Sequence, residues 1–141
     1  MRSLKIAAAI AVTAGLSACA MLDDTPNSKQ VFAAAHDSIQ ERCNAKRDVG
    51  TFVTAAICAN DITMKAFHDV DYGYPDLVAK LNSQRLLLAE RADKKEISAT
   101  AYRAELLNDW SAAIREESLR IAPFGKKSGH AALLGEAELF F

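Results

Sequence analysis

Apolar residues recur every three or four positions along four stretches of the chain, a spacing that places them on one face of an α-helix. The stretches run from about Ser28 to Arg47, from Thr51 to Asp69, from Pro75 to Arg91 and from Ser98 to Ile121. Polar residues separate the apolar ones and are expected to face water. The apolar faces consist of Val31, Ala35, Ile39 and Cys43 in the first stretch, Phe52, Val53, Ala56, Ile57, Ala59, Ile62, Ala66 and Phe67 in the second, Leu77, Val78, Leu81 and Leu88 in the third, and Tyr102, Leu106, Trp110, Ala113, Ile114 and Ile121 in the fourth.

The boundaries of these stretches carry residues that begin or end helices. Pro75 suits a first helical turn, Ser98 suits an N-cap, and Pro123 stops the last stretch. The β-branched residues at the start of the second stretch leave an extended Thr51–Val53 as an alternative there. No alternation with period two persists anywhere, so no strand is predicted. We therefore predict an all-α fold, a bundle of about four helices over residues 28–121.

Residues 1–18 have the pattern of a bacterial secretory signal. Arg2 and Lys5 form a short positive segment, and Ile6–Leu16 is apolar and carries no charge. That length is typical of the hydrophobic region of a signal peptide and is too short to span a bilayer. The segment ends in Leu16-Ser17-Ala18-Cys19, which resembles the lipobox of bacterial lipoproteins.

The resemblance to bacterial lipoproteins implies a lipid anchor at Cys19. In that family signal peptidase II recognises the positions of Leu16, Ser17 and Ala18 and cuts before the cysteine. The thiol then receives a diacylglyceryl group, and the new amine is acylated with a fatty acid such as palmitate. Because Ala20 rather than Asp follows Cys19, the sorting rule of enteric bacteria favours the outer membrane, on its periplasmic face. The inner membrane, or an ordinary secretory signal without lipidation, is the alternative.

The composition is that of a single domain with nearly balanced charge. The chain has 141 residues, of which 50% are hydrophobic, and it contains 17 basic and 18 acidic residues. No basic excess indicates a nucleic-acid partner. Loss of residues 1–18 removes Arg2 and Lys5 and changes the net charge from −1 to −3. Residues 19–27 are read as a short lipidated tether, and residues 122–141 as a loop with an apolar tail that docks on the bundle or lies at a membrane.

If Cys19 carries the lipid, the two remaining cysteines, Cys43 and Cys58, lie in an oxidising compartment. The predicted break at Asp48-Val49-Gly50 lies nearly midway between them, so a helical hairpin folded there brings the two cysteines opposite each other. This symmetry predicts a structural disulfide. Free buried thiols are the main alternative, because neither CxxC nor HxxxH spacing supports a metal or redox site.

A second resemblance covers most of the mature chain. The pattern Cys43…Gly50…Thr54…Cys58-Ala59-Asn60, followed by Tyr74-Pro75-Asp76-Leu77, is similar to small helical lipoproteins of alphaproteobacteria. That group implies no known activity. The resemblance therefore adds to the predicted location and fold, and leaves the function open.

The densest polar cluster is the stretch His68–Asp76, with one imidazole, three carboxylates and two phenols. Such groups could bind a divalent cation or perform acid–base chemistry. The stretch does not match a calcium loop, because Tyr74 occupies the position that requires Gly and Lys80 the position that requires Glu. We favour a turn between helices, with acids at the start of the next helix and tyrosines packed on the core.

Arg85 lies between Leu81 and Leu88 on the inner edge of the third predicted helix. A charge there must find a partner or extend to water. The favoured partner is a carboxylate of the fourth helix, Asp109 or Glu117.

The alternative role for Arg85 is ligand binding. It would lie in a groove between the third and fourth predicted helices, with Tyr102 and Trp110 lining the groove. A single tryptophan on a regular apolar stripe is more often part of a core, and we favour that interpretation of Trp110.

No motif of nucleophilic catalysis or phosphate binding is present, and neither a cofactor nor a metal is predicted. The favoured function is a non-enzymatic, membrane-anchored envelope lipoprotein, an accessory or protein-interaction module with a protein partner in the envelope. An exposed apolar patch at Leu133–Phe141 would support it. The first alternative is a small-ligand or lipid-binding protein, which needs a pocket of about 300 Å3 or more. The second is a metal-dependent enzyme centred on His68–Asp76.

Overall fold

The computed structural model describes residues 27–49, 51–123 and 133–137. The regular elements within these ranges are all helical, which confirms the all-α bundle. None of the described helices is both long enough and apolar enough to cross a bilayer. The predicted signal peptide, the lipobox with Cys19 and most of the tether lie outside the described residues. The elements are α1 (Ser28–Ser38), a π-helical turn (Ile39–Cys43), α2 (Asn44–Val49), α3 (Phe52–Asp69), α4 (Pro75–Asp93) and α5 (Ala99–Ile121).

The first predicted helix is continuous but contains a π-helical turn. Ile39–Cys43 follows the i to i+5 pattern between α1 and α2, and the three segments together form what we call the first helix. A π-helical turn holds one more residue per turn than the α-helix and shifts the faces on either side of it. Ile39 and Cys43 are both buried at its two ends. The apolar spacing from Val31 to Cys43 does not by itself indicate this irregularity.

Side-chain caps define the starts of α3 and α5. The Oγ1 atom of Thr51 accepts a hydrogen bond from Thr54 N at 3.1 Å, and Ser98 Oγ accepts one from Ala101 N at 3.1 Å. Thr51 has an extended backbone, and the helix begins at Phe52, so the extended alternative holds for Thr51 alone. Ser98 is the N-cap that its position in the sequence predicts.

A carboxylate from the far end of α4 adds a second cap to α3. The two Asp93 oxygens accept hydrogen bonds from Phe52 N at 2.8 Å and Val53 N at 3.0 Å. A carboxylate at this end of a helix also interacts favourably with the helix dipole. Asp93 therefore joins the start of α3 to the end of α4.

The packing is centred on α3, which contacts the first helix and α4, while α4 also packs against α5. The predicted disulfide between Cys43 and Cys58 is present, with the two Cα atoms 5.5 Å apart. It joins the π-helical turn to α3. Closing a loop of 15 residues stabilises a fold by about 3 kcal/mol in the chain-entropy model.

The core between the helices is rich in aromatic rings. The rings of Phe32 and Phe67 lie 5.0 Å apart, and those of Phe67 and Tyr72 lie 4.9 Å apart. Trp110 is 1% exposed and belongs to the same core, as its regular position on the fourth stripe indicates. The aromatic side chains thus join α1, α3 and α5.

A short C-terminal segment, residues 133–137, docks on the bundle. Leu133, Leu134 and Ala137 are buried. The Oε1 atom of Glu117 accepts hydrogen bonds from Leu133 N at 3.1 Å and Leu134 N at 3.2 Å, and Trp110 Nε1 donates to Leu134 O at 3.1 Å. This segment, held by Glu117, is called the C-terminal clip. The sequence left open whether the tail docks on the bundle or lies at a membrane. The described part of the tail docks on the bundle.

Candidate functional site

A pocket of about 370 Å3 opens between the first helix and the start of α5, above α3. Ala55, Ala56 and Ala59 of α3 form much of its base, and their small side chains leave space that the flanking helices do not fill. Ile39 and Cys43 line one side of the pocket, and Leu106 lines the other. The disulfide therefore braces one wall of this space.

Arg85 reaches the floor of this pocket from α4. It is 3% exposed, and its Nη1 donates hydrogen bonds to Asn60 Oδ1 at 2.9 Å and to Thr63 Oγ1 at 3.3 Å. Asn60 is itself held in place, because its Nδ2 donates to Asn82 O at 2.9 Å. These hydrogen bonds orient the guanidinium group. The site is called the Arg85 pocket.

The bonds of Arg85 correct the ion pair expected from the sequence. Asp109 and Glu117 of α5 were the favoured partners, but the hydrogen bonds described above run to α3. Glu117 is occupied instead by the C-terminal clip and by Tyr72, whose hydroxyl donates to it at 2.8 Å. Burial lowers the pKa of Arg85 to about 10, which keeps the guanidinium charged at neutral pH.

Two further arginines line the Arg85 pocket at its rim. Arg47 belongs to α2 and Arg103 to α5, and both are exposed. None of the residues that line this pocket, all within the described ranges, is Asp or Glu. Three arginines therefore line the pocket, in a chain whose overall charge is slightly negative.

Tyr102 supplies a phenol and a flat ring to the α5 side of the pocket. Its ring meets that of Phe52 edge to face, with the centroids 5.2 Å apart. Burial raises the pKa of Tyr102, so the hydroxyl stays protonated and able to donate a hydrogen bond. The aromatic pair closes the end of the pocket where α3 and α5 begin.

Two of the three residues proposed for a ligand groove, Arg85 and Tyr102, line the same pocket. The third, Trp110, lies in the core and holds the C-terminal clip. The pocket also lies between the first helix and α5, whereas the groove was expected between α4 and α5. The sequence did not predict Arg47, Arg103 or the alanines of α3 as site residues. In the sequence the alanines look like ordinary core packing, and the two arginines look like ordinary exposed charges.

A more open cleft of about 540 Å3 does lie between α4 and α5. Arg91 and Glu105 form an ion pair across it, with Arg91 Nη1 2.7 Å from Glu105 Oε2. Asp109 lies there too, and burial raises the pKa of its carboxyl group. Paired charges of both signs are typical of a solvated surface, so we assign no ligand to this cleft.

The stretch His68–Asp76 forms a turn between α3 and α4. The side chain of His68 is 90% exposed, and Asp69 pairs with Lys65, whose hydrogen bond lowers the pKa of that carboxyl group. Tyr72 is buried, and Asp76 pairs with Arg120 at 2.7 Å. Within the described part of the chain, no three His, Cys, Asp or Glu side chains are grouped so that they could hold a metal ion.

The Arg85 pocket is lined by polar groups of three kinds besides its apolar walls. Its polar groups are guanidinium groups, amides and hydroxyls, and it contains neither a paired nucleophile and base nor two carboxylates. Comparisons of the chain with protein-family models, with curated proteins and with solved structures found no match.

Proposed function

We propose that this protein is a non-enzymatic, membrane-anchored envelope lipoprotein whose helical domain binds a small ligand in the Arg85 pocket. The observation that carries the proposal is the buried guanidinium group of Arg85, oriented by Asn60 and Thr63 at the floor of a preformed cavity. The cavity has a volume of about 370 Å3, which lies within the range of small-molecule binding sites.

The placement of the C-terminal segment favours a ligand-binding protein over an interaction module. An interaction module was expected to present an apolar patch at Leu133–Phe141. In the described part of that stretch, Leu133, Leu134 and Ala137 are buried against the bundle and do not form a docking surface. A pocket with convergent polar groups is the stronger feature, so it carries the functional proposal.

The lipobox resemblance supports a site of action close to a membrane. Lipidation at Cys19, after cleavage that depends on Leu16, Ser17 and Ala18, would leave the tether of residues 19–27 before α1. A tether of this length extends at most about 30 Å. We place the protein on the periplasmic face of the outer membrane, with the pocket within reach of molecules at that surface.

Native mass spectrometry of protein purified from its own envelope tests the ligand proposal. We expect a small molecule to accompany the wild-type chain and to be absent from Thr100→Trp, which fills the rim of the Arg85 pocket from an exposed position on α5. The matched control is Ser111→Trp, also exposed on α5 but outside the pocket. Equal ligand occupancy in the two variants would rule out the pocket as the binding site.

Mass spectrometry of the mature N-terminus tests the anchor. We expect the first residue to be Cys19 carrying a diacylglyceryl group, and we expect Cys19→Ser to remove the protein from the membrane fraction. An unmodified Cys19, or cleavage at another position, would contradict the anchor. That result would leave the pocket proposal unchanged.

A further inference from the structure

We propose that the protein makes a second membrane contact beside its lipid anchor. The apolar side chains of Leu139, Phe140 and Phe141 form this contact, at the end of the bundle from which the tether leaves. The proposal rests on the lipid anchor of the proposed function and adds the orientation of the helical domain. Acyl chains at Cys19 hold the protein at the membrane, and the second contact sets which end of the bundle faces the bilayer.

One end of the bundle brings together the start of the first helix and the end of α5. The ring of Phe32 in α1 lies 5.0 Å from that of Phe67 in the last turn of α3. The short turn after α3 keeps the start of α4 at this end, where Asp76 Oδ2 lies 2.7 Å from Nη1 of Arg120 in the last turn of α5. The tether precedes α1 and therefore leaves from this end, which is called the tether end.

The C-terminal clip is fixed to the bundle at the tether end. Ser28, the first residue of α1, donates a hydrogen bond from its Oγ to Glu136 Oε2 at 2.7 Å. On the other side, Leu134 O accepts a hydrogen bond from Trp110 of α5. The clip therefore bridges the first helix and α5, next to the residue at which the tether joins the bundle.

The clip determines where the residues after it begin. Residues 138–141 read Glu-Leu-Phe-Phe and lie outside the described part of the chain. Ala137, which precedes them, is buried beside Glu136 at the tether end. Four residues extend at most about 14 Å. Three large apolar side chains are thus confined to the neighbourhood of the tether end.

An exposed leucine adds apolar surface at the same end. Leu119 lies in the last turn of α5 and is 74% exposed, the highest value among the exposed large hydrophobic side chains of the described residues. A single exposed leucine is common on protein surfaces and does not by itself indicate a partner. At the tether end, however, Leu119 lies on the part of the domain that the anchor holds nearest to lipid.

The anchor makes a small contact sufficient. Removing apolar surface from water contributes about 25 cal/mol for each Å2, so three side chains alone bind a bilayer only weakly. A tether that extends at most about 30 Å keeps them at a high effective concentration beside the membrane. The tether end carries exposed charges of both signs, such as Asp76 and Lys80, so the contact is assigned to the apolar part of the bilayer and not to a charged head group.

Quenching of tryptophan fluorescence by nitroxide-labelled lipids tests the contact. The protein is the chain from residue 19 onward, in which the disulfide leaves Cys19 as the single free thiol for coupling to a maleimide phospholipid in phosphatidylcholine vesicles. Phe140→Trp places a reporter after the clip, and Leu119→Trp places one on α5. We expect the nitroxide lipids to quench both reporters. Trp110 is 1% exposed, so the wild-type chain supplies an almost unquenched background.

Leu87→Trp is the matched control. Leu87 is 54% exposed on α4, and it lies twelve residues beyond Pro75, which is about 18 Å along the helix from the tether end. Its reporter should keep most of its emission. Quenching of Leu87→Trp as strong as that of Leu119→Trp would show that the domain has no preferred orientation, and would overturn the proposal. Quenching of Phe140→Trp no stronger than that of Leu87→Trp would overturn the contact by residues 139–141.

The emission wavelength separates a membrane from a protein partner. Before vesicles are added, the emission that Phe140→Trp adds to the wild-type spectrum should lie at long wavelength, as for an indole group in water. Added emission at short wavelength without vesicles would show that the segment is buried on the bundle or on a second copy of the chain. That result would overturn the membrane contact.

The outcomes also separate this contact from the proposed function. Chemical coupling supplies an anchor whether or not cells lipidate Cys19, so the quenching reports on the tether end alone. An unmodified Cys19 in the mature protein would contradict the anchor and leave the quenching result standing. Absence of quenching, together with a lipidated Cys19, would overturn the second contact and leave the anchor and the Arg85 pocket unchanged.

Discussion

Arg85 and Glu117 are two buried charged side chains on neighbouring helices with different surroundings. Glu117 is 0% exposed, and one oxygen accepts hydrogen bonds from the hydroxyl of Tyr72 and from the backbone of Leu133 and Leu134. Arg85 is held by uncharged groups of α3 at the floor of a cavity. Glu117 holds the C-terminal clip on the bundle, and Arg85 lines the cavity that we propose binds a ligand.

The comparison is informative because burying an ion costs several kcal/mol before any partner is counted. For Glu117 part of that cost is offset within the fold, because its Oε1 accepts from backbone N–H groups that need an acceptor in any case. Its Oε2 is buried with no hydrogen-bond partner among the described residues. Arg85 also contributes to the fold, because its Nη1 donates to the side chains of Asn60 and Thr63 on α3. It differs from Glu117 in that it lines a cavity, and a buried charged group in a cleft is a candidate for binding.

The largest effect should come from removing the carboxylate of the C-terminal clip. Glu117→Ala leaves the Tyr72 hydroxyl and two backbone N–H groups buried without their acceptor, and should lower the free energy of unfolding by about 3–5 kcal/mol. Urea unfolding measures the loss. The fluorescence emission of Trp110, the single tryptophan, should also shift to longer wavelength as the C-terminal clip detaches from the bundle.

The neighbouring residue provides the control for this prediction. Glu116 pairs with Arg120 and Lys80 near the surface, so Glu116→Ala should lower the free energy of unfolding far less. Similar losses from the two substitutions would show that Glu117 does not hold the clip.

Removing the disulfide should affect the pocket more than the clip. The double variant Cys43→Ala with Cys58→Ala should lose about 3 kcal/mol of unfolding free energy, since the unfolded chain is no longer constrained. Occupancy of the pocket by the small molecule, measured by native mass spectrometry, should fall because Cys43 lines the pocket. The fluorescence emission of Trp110 in the folded state should stay unchanged. A shift in that emission would mean that the two regions are coupled.

Arg85→Met should separate binding from stability. Methionine fills a similar volume without the cost of burying a charge, but it leaves Asn60 Oδ1 without its donor, so we expect the free energy of unfolding to fall by about 1–2 kcal/mol. The small molecule that accompanies the wild-type chain should be absent from the native mass spectrum. A destabilisation as large as that of Glu117→Ala, measured by urea unfolding, would mean that Arg85 serves the fold as Glu117 does.

The smallest effect is the acid sensitivity of the ion pairs between α4 and α5. Hydrogen bonds from Arg120 and Lys80 lower the pKa of Glu116 below its ordinary value of 4.5. Stability from this group is therefore complete above pH 4.5 and is lost as the pH falls through the lowered value, where the folded state takes up the proton. Thermal unfolding between pH 6 and pH 3 should show a slightly smaller loss for Glu116→Gln than for the wild type.

Much of the fold follows from local patterns in the sequence. The predicted stretches match the helices closely, with the third extending two residues further to Asp93 and the second beginning at Phe52 rather than Thr51. The cap at Ser98 and the pairing of Cys43 with Cys58 are also as predicted. These features depend on residues three or four positions apart, or on one short hairpin, so nearby sequence is enough to indicate them.

The pocket and the clip depend instead on contacts between distant parts of the chain. Arg85 meets Asn60 on another helix, and Glu117 meets Leu133 across the end of α5. Helical periodicity shows that Arg85 lies at an inner edge, but not which neighbour that edge faces. The sequence alone therefore determined the helices, their limits and the disulfide. Tertiary packing decided where the cavity lies and which buried charge lines it, because side chains distant in the sequence meet only after the helices have packed.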